Sequence, residues 1–155
     1  MSESIEKQLQ EEGFYVSTTV GVSMKPMLRN RRDRVILRPL QPGEILSKYD
    51  LPLYRRPDGK YVLHRIIGVC DGYYIIRGDN TYQKEKVPFE WILGVVTEFY
   101  RGERHVTADK KSYRIYAAVW QGIYPLRYPL HAARMLASRV KRRLLPKNNI
   151  SHDRF

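Results

Sequence analysis

Two Asp-Gly pairs, Asp58-Gly59 and Asp71-Gly72, bracket residues 61–69 and constrain this chain more than any other feature of its sequence. A tight turn needs backbone at positive φ, which Gly adopts freely and Asp tolerates, so each pair folds the chain back as a hairpin. The segments between such turns, 14–20, 34–38, 50–55, 61–69, 73–77 and 91–100, are rich in β-branched and aromatic residues and read as strands. A mainly β domain follows. Pro52 assigns the third strand to a sheet edge, and His64 falls inside the fourth. Tyr73/Tyr74 and Phe99/Tyr100 read as sheet packing, since strands favour aromatics whether or not they meet a ligand.

The two ends differ in character. Residues 4–12 read as a short, peripheral polar helix that Gly13 terminates. From Asp109 onward Ile115, Val119, Ile123, Leu130, Met135, Leu136, Val140 and Leu144 take helical spacing. Breaks at Pro125 and Pro129 predict two short helices. With 155 residues, 43% of them hydrophobic, the chain has material for one core. The expected organisation is a helix at 1–12, a β domain at 13–108 and a basic amphipathic helical tail at 109–155.

Twenty-eight Lys and Arg against 16 Asp and Glu give a net charge of +12, which favours anionic partners. The densest basic cluster is Arg139, Lys141, Arg142 and Arg143. Trp120, Tyr124, Leu126, Tyr128 and Leu130 alternate with basic residues, as in helices that lie on anionic lipid. Peripheral membrane contact through residues 113–145 and a helix packed on the sheet are both open readings. Residues 1–12 form neither a signal peptide nor an anchor, and 115–136 is interrupted by Gln121, Arg127, His131, Arg134 and two prolines. The expected location is the cytoplasm, or its membrane face. The single cysteine, Cys70, reads as a small filler residue, no Cys/His spacing resembles a metal site, and nothing calls for a cofactor.

Three segments carry chemistry: the run from Gly21 through Ser23-Met24-Lys25-Pro26-Met27 to Leu28, then His64-Arg65-Ile66, then Gly78-Asp79-Asn80. A serine hydroxyl is a weak nucleophile at neutral pH. It needs a base within hydrogen-bond reach and an acceptor that holds that base. Together with Asp33, and in this order, these segments resemble the signal peptidase and self-cleaving repressor superfamily over roughly residues 14–102. His64 before Arg65 is similar to the archaeal and endoplasmic reticulum type, which uses histidine where bacterial signal peptidases and the repressors use lysine.

The resemblance implies a coiled β-sheet fold and a peptidase that cleaves a peptide or protein precursor after small residues. Ser23 would be the nucleophile, His64 its general base, Asp79 or Glu85 the acid, and a backbone N–H near Ser23 the oxyanion donor. Met24, Pro26 and Met27 would border the substrate groove. Lys25 is not the base in this reading. The chain departs from the family pattern at Arg32, where glycine is usual, and at Glu85, where aspartate is usual. A non-catalytic binding protein on the same fold is one alternative. A repressor-like regulator is another, although twelve residues before the first strand leave no room for a helix-turn-helix, so no specific nucleic-acid partner is expected.

Overall fold

The structure, a computed structural model, describes residues 5–144. They divide into two compact units, the first ending at Ile123 and the second beginning at Tyr124. Ser4, where the sequence reading starts its helix, and residues 145–155 of the expected tail lie outside the described residues.

The first unit is mainly β, with a curled half-barrel sheet and a short N-terminal helix. In chain order it comprises helix α1 (Ile5–Glu12), strands β1 (Tyr15–Thr18), β2 (Arg34–Pro39), β3 (Pro52–Arg55), β4 (Tyr61–Leu63), β5 (Arg65–Cys70), β6 (Tyr73–Arg77), β7 (Glu85–Pro88), β8 (Ile92–Arg101) and β9 (Arg104–Thr107), and helix α2 (Lys111–Gly122). Strands β1-β2-β8-β3-β4 lie side by side in that order, and β9 pairs with the distal half of β8. A second sheet runs β5-β6-β7. All pairings are antiparallel.

Both Asp-Gly turns form as expected, with Gly59 at φ 82° and Gly72 at φ 78°. Two strand expectations are corrected. Residues 61–69 do not form one strand: Leu63 pairs with Leu53 in the first sheet and Arg65 pairs with Arg77 in the second, so His64 is the corner between them. Nor is β3 an edge, because it lies between β8 and β4 with Pro52 at its first position, where a missing N–H is tolerated. The short strands β7 and β9, polar and without clear alternation, escaped the sequence reading.

Two apolar clusters hold the unit together. One lies under α1 and the serine loop and includes Leu9, Met24, Leu28, Leu37, Leu53 and Phe99. The other lies between the sheets and includes Tyr54, Ile66, Tyr74, Ile76, Val87 and Val95. Tyr74 and Phe99 are thus packing residues, as read from the sequence, and Tyr74 Oη also accepts the Leu46 N–H at 2.8 Å. Helix α1 is not peripheral. Leu9 is 2% exposed and packs in the first of these clusters, while Gly94 of β8 serves the sheet: a Cβ there would fall 2.5 Å from the Arg38 carbonyl oxygen of β2. Edge strand β1 leaves Val16 exposed, as are Phe14 and Val20 on either side of it.

Helix α2 belongs to the first unit, with Tyr113 and Ala117 buried. The second unit carries helix α3 (Tyr124–Leu144). The helix break therefore falls at Gly122 and Ile123 rather than at the prolines. Pro125 sits in the first turn of α3, where its absent N–H has no intrahelical partner to lose, and Pro129 is accommodated inside the helix with its surface exposed. Among the described residues no helix is long and apolar enough to cross a membrane.

The packing of α1 predicts that Leu9→Ala costs about 2–5 kcal/mol of stability, the range for a buried leucine whose cavity does not collapse. Urea unfolding measures it, and a loss within error of zero contradicts the packing.

Candidate active site

Ser23 lies in the loop that leaves β1, after Gly21 at φ 98°. Glycine is required there, since other residues are strained at positive φ. Met24, Met27 and Leu28 are buried and pin this loop to the core, while Lys25 and Pro26 face solvent. Its far end is held by Asp33, fully buried, whose carboxylate accepts the Arg29 N–H at 2.7 Å and the Arg29 guanidinium at 2.7 Å. Burial pushes the Asp33 carboxyl up, but the Arg29 bonds prevail and hold it below the usual range. Arg32 fits because the left-handed backbone is one residue earlier, at Arg31 (φ 55°), whose N–H donates to Thr19 O at 2.7 Å.

The Gly78-Asp79-Asn80 turn meets this loop directly. Asn80 N–H donates to Ser23 O at 2.7 Å, and Asn80 Nδ2 donates to Val22 O at 3.1 Å. Gly78 has a separate duty: a Cβ there would fall 2.8 Å from Ser23 O and 3.0 Å from His64 Nε2. The serine loop and the imidazole edge therefore both pack against one bare Cα, and only glycine fits between them.

Ser23 and His64 also line one cavity of about 380 Å³, together with Ser17 and Thr18 of β1, Leu63 of β4 and Met24. The curl of the sheet brings its two edge strands to opposite walls of this cleft. Among the described residues no hydrogen bond joins the Ser23 hydroxyl to the imidazole. Met27, expected beside the groove, instead lies under Arg65, whose Nη2 is 2.9 Å from its Sδ. Pro26 is exposed beyond the cleft lining, and its carbonyl accepts from Arg101 at 3.3 Å.

His64 is 9% exposed, and burial is the main reason its pKa is lowered; Glu85 partly opposes the shift and Arg56 adds to it. The ring is therefore neutral at neutral pH, the form a base requires. Its Nδ1 is buried with no hydrogen-bond partner among the described residues, and Glu85 Oε1 lies 3.8 Å away. Glu85 is meanwhile paired with the Arg56 guanidinium, which borders the cleft. Tyr54 packs edge-on to the imidazole, with centroids 6.5 Å apart. Burial, and then the Glu85 charge, push its phenol pKa well above the usual range.

The two candidate acids are thus placed differently. Asp79, 2% exposed, is gripped by Arg65, which is fully buried: Nε donates to Oδ1 and Nη2 to Oδ2, each at 2.7 Å. Burial works against the Arg65 charge, and Asp79 more than compensates. With both oxygens committed, Asp79 fixes the turn beneath Ser23, while Glu85 is the carboxylate nearest the unpaired His64 nitrogen. Sequence reasoning did not find Arg56, Tyr54 or the contacts from α2, and nothing in their local sequence marks them. Trp120, read there among the interfacial residues, donates to Asp79 O at 3.1 Å.

Compared with known proteins, the sequence matches no protein-family model and no curated protein.

Two predictions follow from this geometry. Gly78→Ala forces the serine loop and the imidazole apart and is expected to cost about 1–3 kcal/mol, as overpacking does; thermal unfolding checks it. His64 binds its proton less readily folded than unfolded, so its contribution to stability is present above the ordinary imidazole pKa and is lost as pH falls through the lowered folded value. Urea titrations across that window should show a steeper acid-side loss for wild type than for His64→Gln, and identical slopes would contradict a neutral buried imidazole.

Proposed function

We propose that the chain is a serine peptidase of the signal peptidase type, acting through Ser23 and His64 on an extended peptide or protein precursor. The observation that carries the proposal is the convergence of Ser23 O and His64 Nε2 on Gly78, at the wall of a cleft bounded by two strand edges. Three stretches far apart in sequence meet there, and they are the stretches that bear the family resemblance.

In this reading His64 Nε2 takes the Ser23 proton as the hydroxyl attacks the scissile carbonyl, and the Ser23 N–H faces the developing oxyanion. Nucleophile–base hydrogen bonds are often long without substrate and tighten in the complex. Glu85 is the acid: its oxygen needs to approach Nδ1 by less than an ångström to accept a hydrogen bond, whereas Asp79 is held in its own ion pair. Asp79 is a positioning residue. The strand edges offer unpaired backbone groups to an extended substrate, and Met24 supplies an apolar wall for a small side chain. The site asks for no cofactor, and the finer likeness of the curled sheet to the signal-peptidase fold is part of this proposal.

The test is cleavage of a peptide library with the cut sites read by mass spectrometry. Wild type should cut after small residues, with Ser23→Ala and His64→Ala slower by about 10²–10⁴-fold. Glu85→Gln should keep part of the rate and move the acid limb of kcat/KM to lower pH, because removing a negative charge lowers the imidazole pKa further. Equal cleavage by all variants would sink the mechanism. Peptide binding without cleavage by wild type would favour a binding protein on the same fold.

A further inference from the structure

Helix α2 sends three side chains to the buried Arg65–Asp79 pair. Tyr113 Oη accepts from Arg65 Nη1 at 2.9 Å, Gln121 Nε2 donates to Asp79 Oδ1 at 2.9 Å, and Trp120 Nε1 donates to the Asp79 carbonyl at 3.1 Å. The other end of the Gln121 amide accepts from Arg77, which fixes its orientation. Trp120 is in turn stacked on Tyr116, with rings 15° from parallel. Arg114 ties the same helix to Asp50 and to the Lys48 carbonyl.

The Trp120 bond has a particular consequence. Its acceptor is the C=O of the peptide unit between Asp79 and Asn80, and the N–H of that same unit donates to Ser23 O at 2.7 Å. A peptide unit is planar and turns as one piece, so it cannot rotate away from the indole while keeping its hold on the serine loop. Hydrogen bonds at the two ends of one amide also polarise it in the same direction and strengthen each other.

We propose that α2 is a clamp on the active site, with Trp120 and Gln121 as positioning residues. Trp120 locks the 79–80 peptide plane and through it the Ser23 backbone, while Gln121 locks the Asp79 carboxylate that anchors the turn. The inference rests on the peptidase reading for its catalytic consequence, but its structural half stands apart from that reading. It also makes α2 part of the catalytic unit rather than of a detachable tail.

The experiment uses the full chain and Trp120→Phe, which keeps an aromatic ring and deletes the N–H. Gln121→Met, of similar length and without the donor, is the second variant, and Val119→Ala, at an exposed position on α2, is the control. Amide exchange at Asn80, followed by NMR, should accelerate roughly tenfold in Trp120→Phe, the equivalent of losing one ordinary hydrogen bond, and remain at the wild-type value in the control. Cleavage of the library peptide should show kcat lowered roughly tenfold in both variants with KM unchanged, since misplacement acts on the reacting geometry and not on groove binding. Wild-type exchange at Asn80 in a folded Trp120→Phe protein overturns the clamp. Accelerated exchange with unchanged kcat overturns the positioning role. If Trp120→Phe does not fold, Gln121→Met decides by the kcat and KM split. If wild type cuts no peptide, the peptidase reading fails and the Asn80 exchange alone judges the clamp.

Discussion

The ion pair between Arg65 and Asp79 is the interaction on which the rest of the site depends. Both side chains are almost completely removed from water, and two such charges survive burial only when every hydrogen-bonding position is used. Here the guanidinium spends its donors on the Asp79 carboxylate, the Tyr49 carbonyl and the Tyr113 hydroxyl. That requirement fixes three things at once: the corner at which β5 begins, the turn that follows β6, and the position of α2 beneath them. An apolar core would tolerate small rotations of these elements against one another. A fully bonded buried pair does not, because each rotation strands a charge.

The placement of His64 follows from the same constraint. As the residue immediately before Arg65, it occupies the step from one sheet to the other and is released from strand alternation. Its ring is turned toward the serine loop on one side and toward Glu85 on the other. Burial keeps it uncharged, so the ring can receive a proton without first giving one up. Arg56 and His64 compete for Glu85, which leaves the imidazole Nδ1 without a hydrogen bond among the described residues; under the proposed peptidase function, a peptide bound in the cleft is the event placed to change that balance.

Much of this was legible in the sequence, for definite reasons. The Asp-Gly turns, the glycine that ends α1 and the β-rich segments depend on local backbone preferences, and they appear where the residues put them. Ser23, His64 and Asp79 were singled out as a set because their motifs occur in an order that resembles a known pattern, and the fold brings the three segments together. What was missed depends on partners far apart in the chain. Nothing near residue 64 reveals that the strand breaks there, since Arg65 meets its buried partner Asp79 only in the folded chain. Leu9 looked peripheral because the residues that cover it, among them Leu37, Leu53 and Phe99, come from strands far along the chain. Trp120 was placed in a helix open to either lipid or the sheet, and Gln121 was noted only as a polar break in an apolar run; only the fold brings them against a buried carboxylate. Glu85 and Asp79 could not be ranked from sequence because the difference lies in which arginine each one meets.

Strand β1 adds a liability of its own. It ends the sheet with one side of its backbone unpaired, and Phe14, Val16 and Val20 lie bare along it, a surface to which an extended segment of any chain can adhere. The net charge of +12 opposes the approach of a second copy, a long-range repulsion that added electrolyte weakens. Ionic strength therefore governs how readily two molecules meet along this edge, and the concentrated, salty solutions used to store many basic proteins are the conditions under which this one is least protected from self-association.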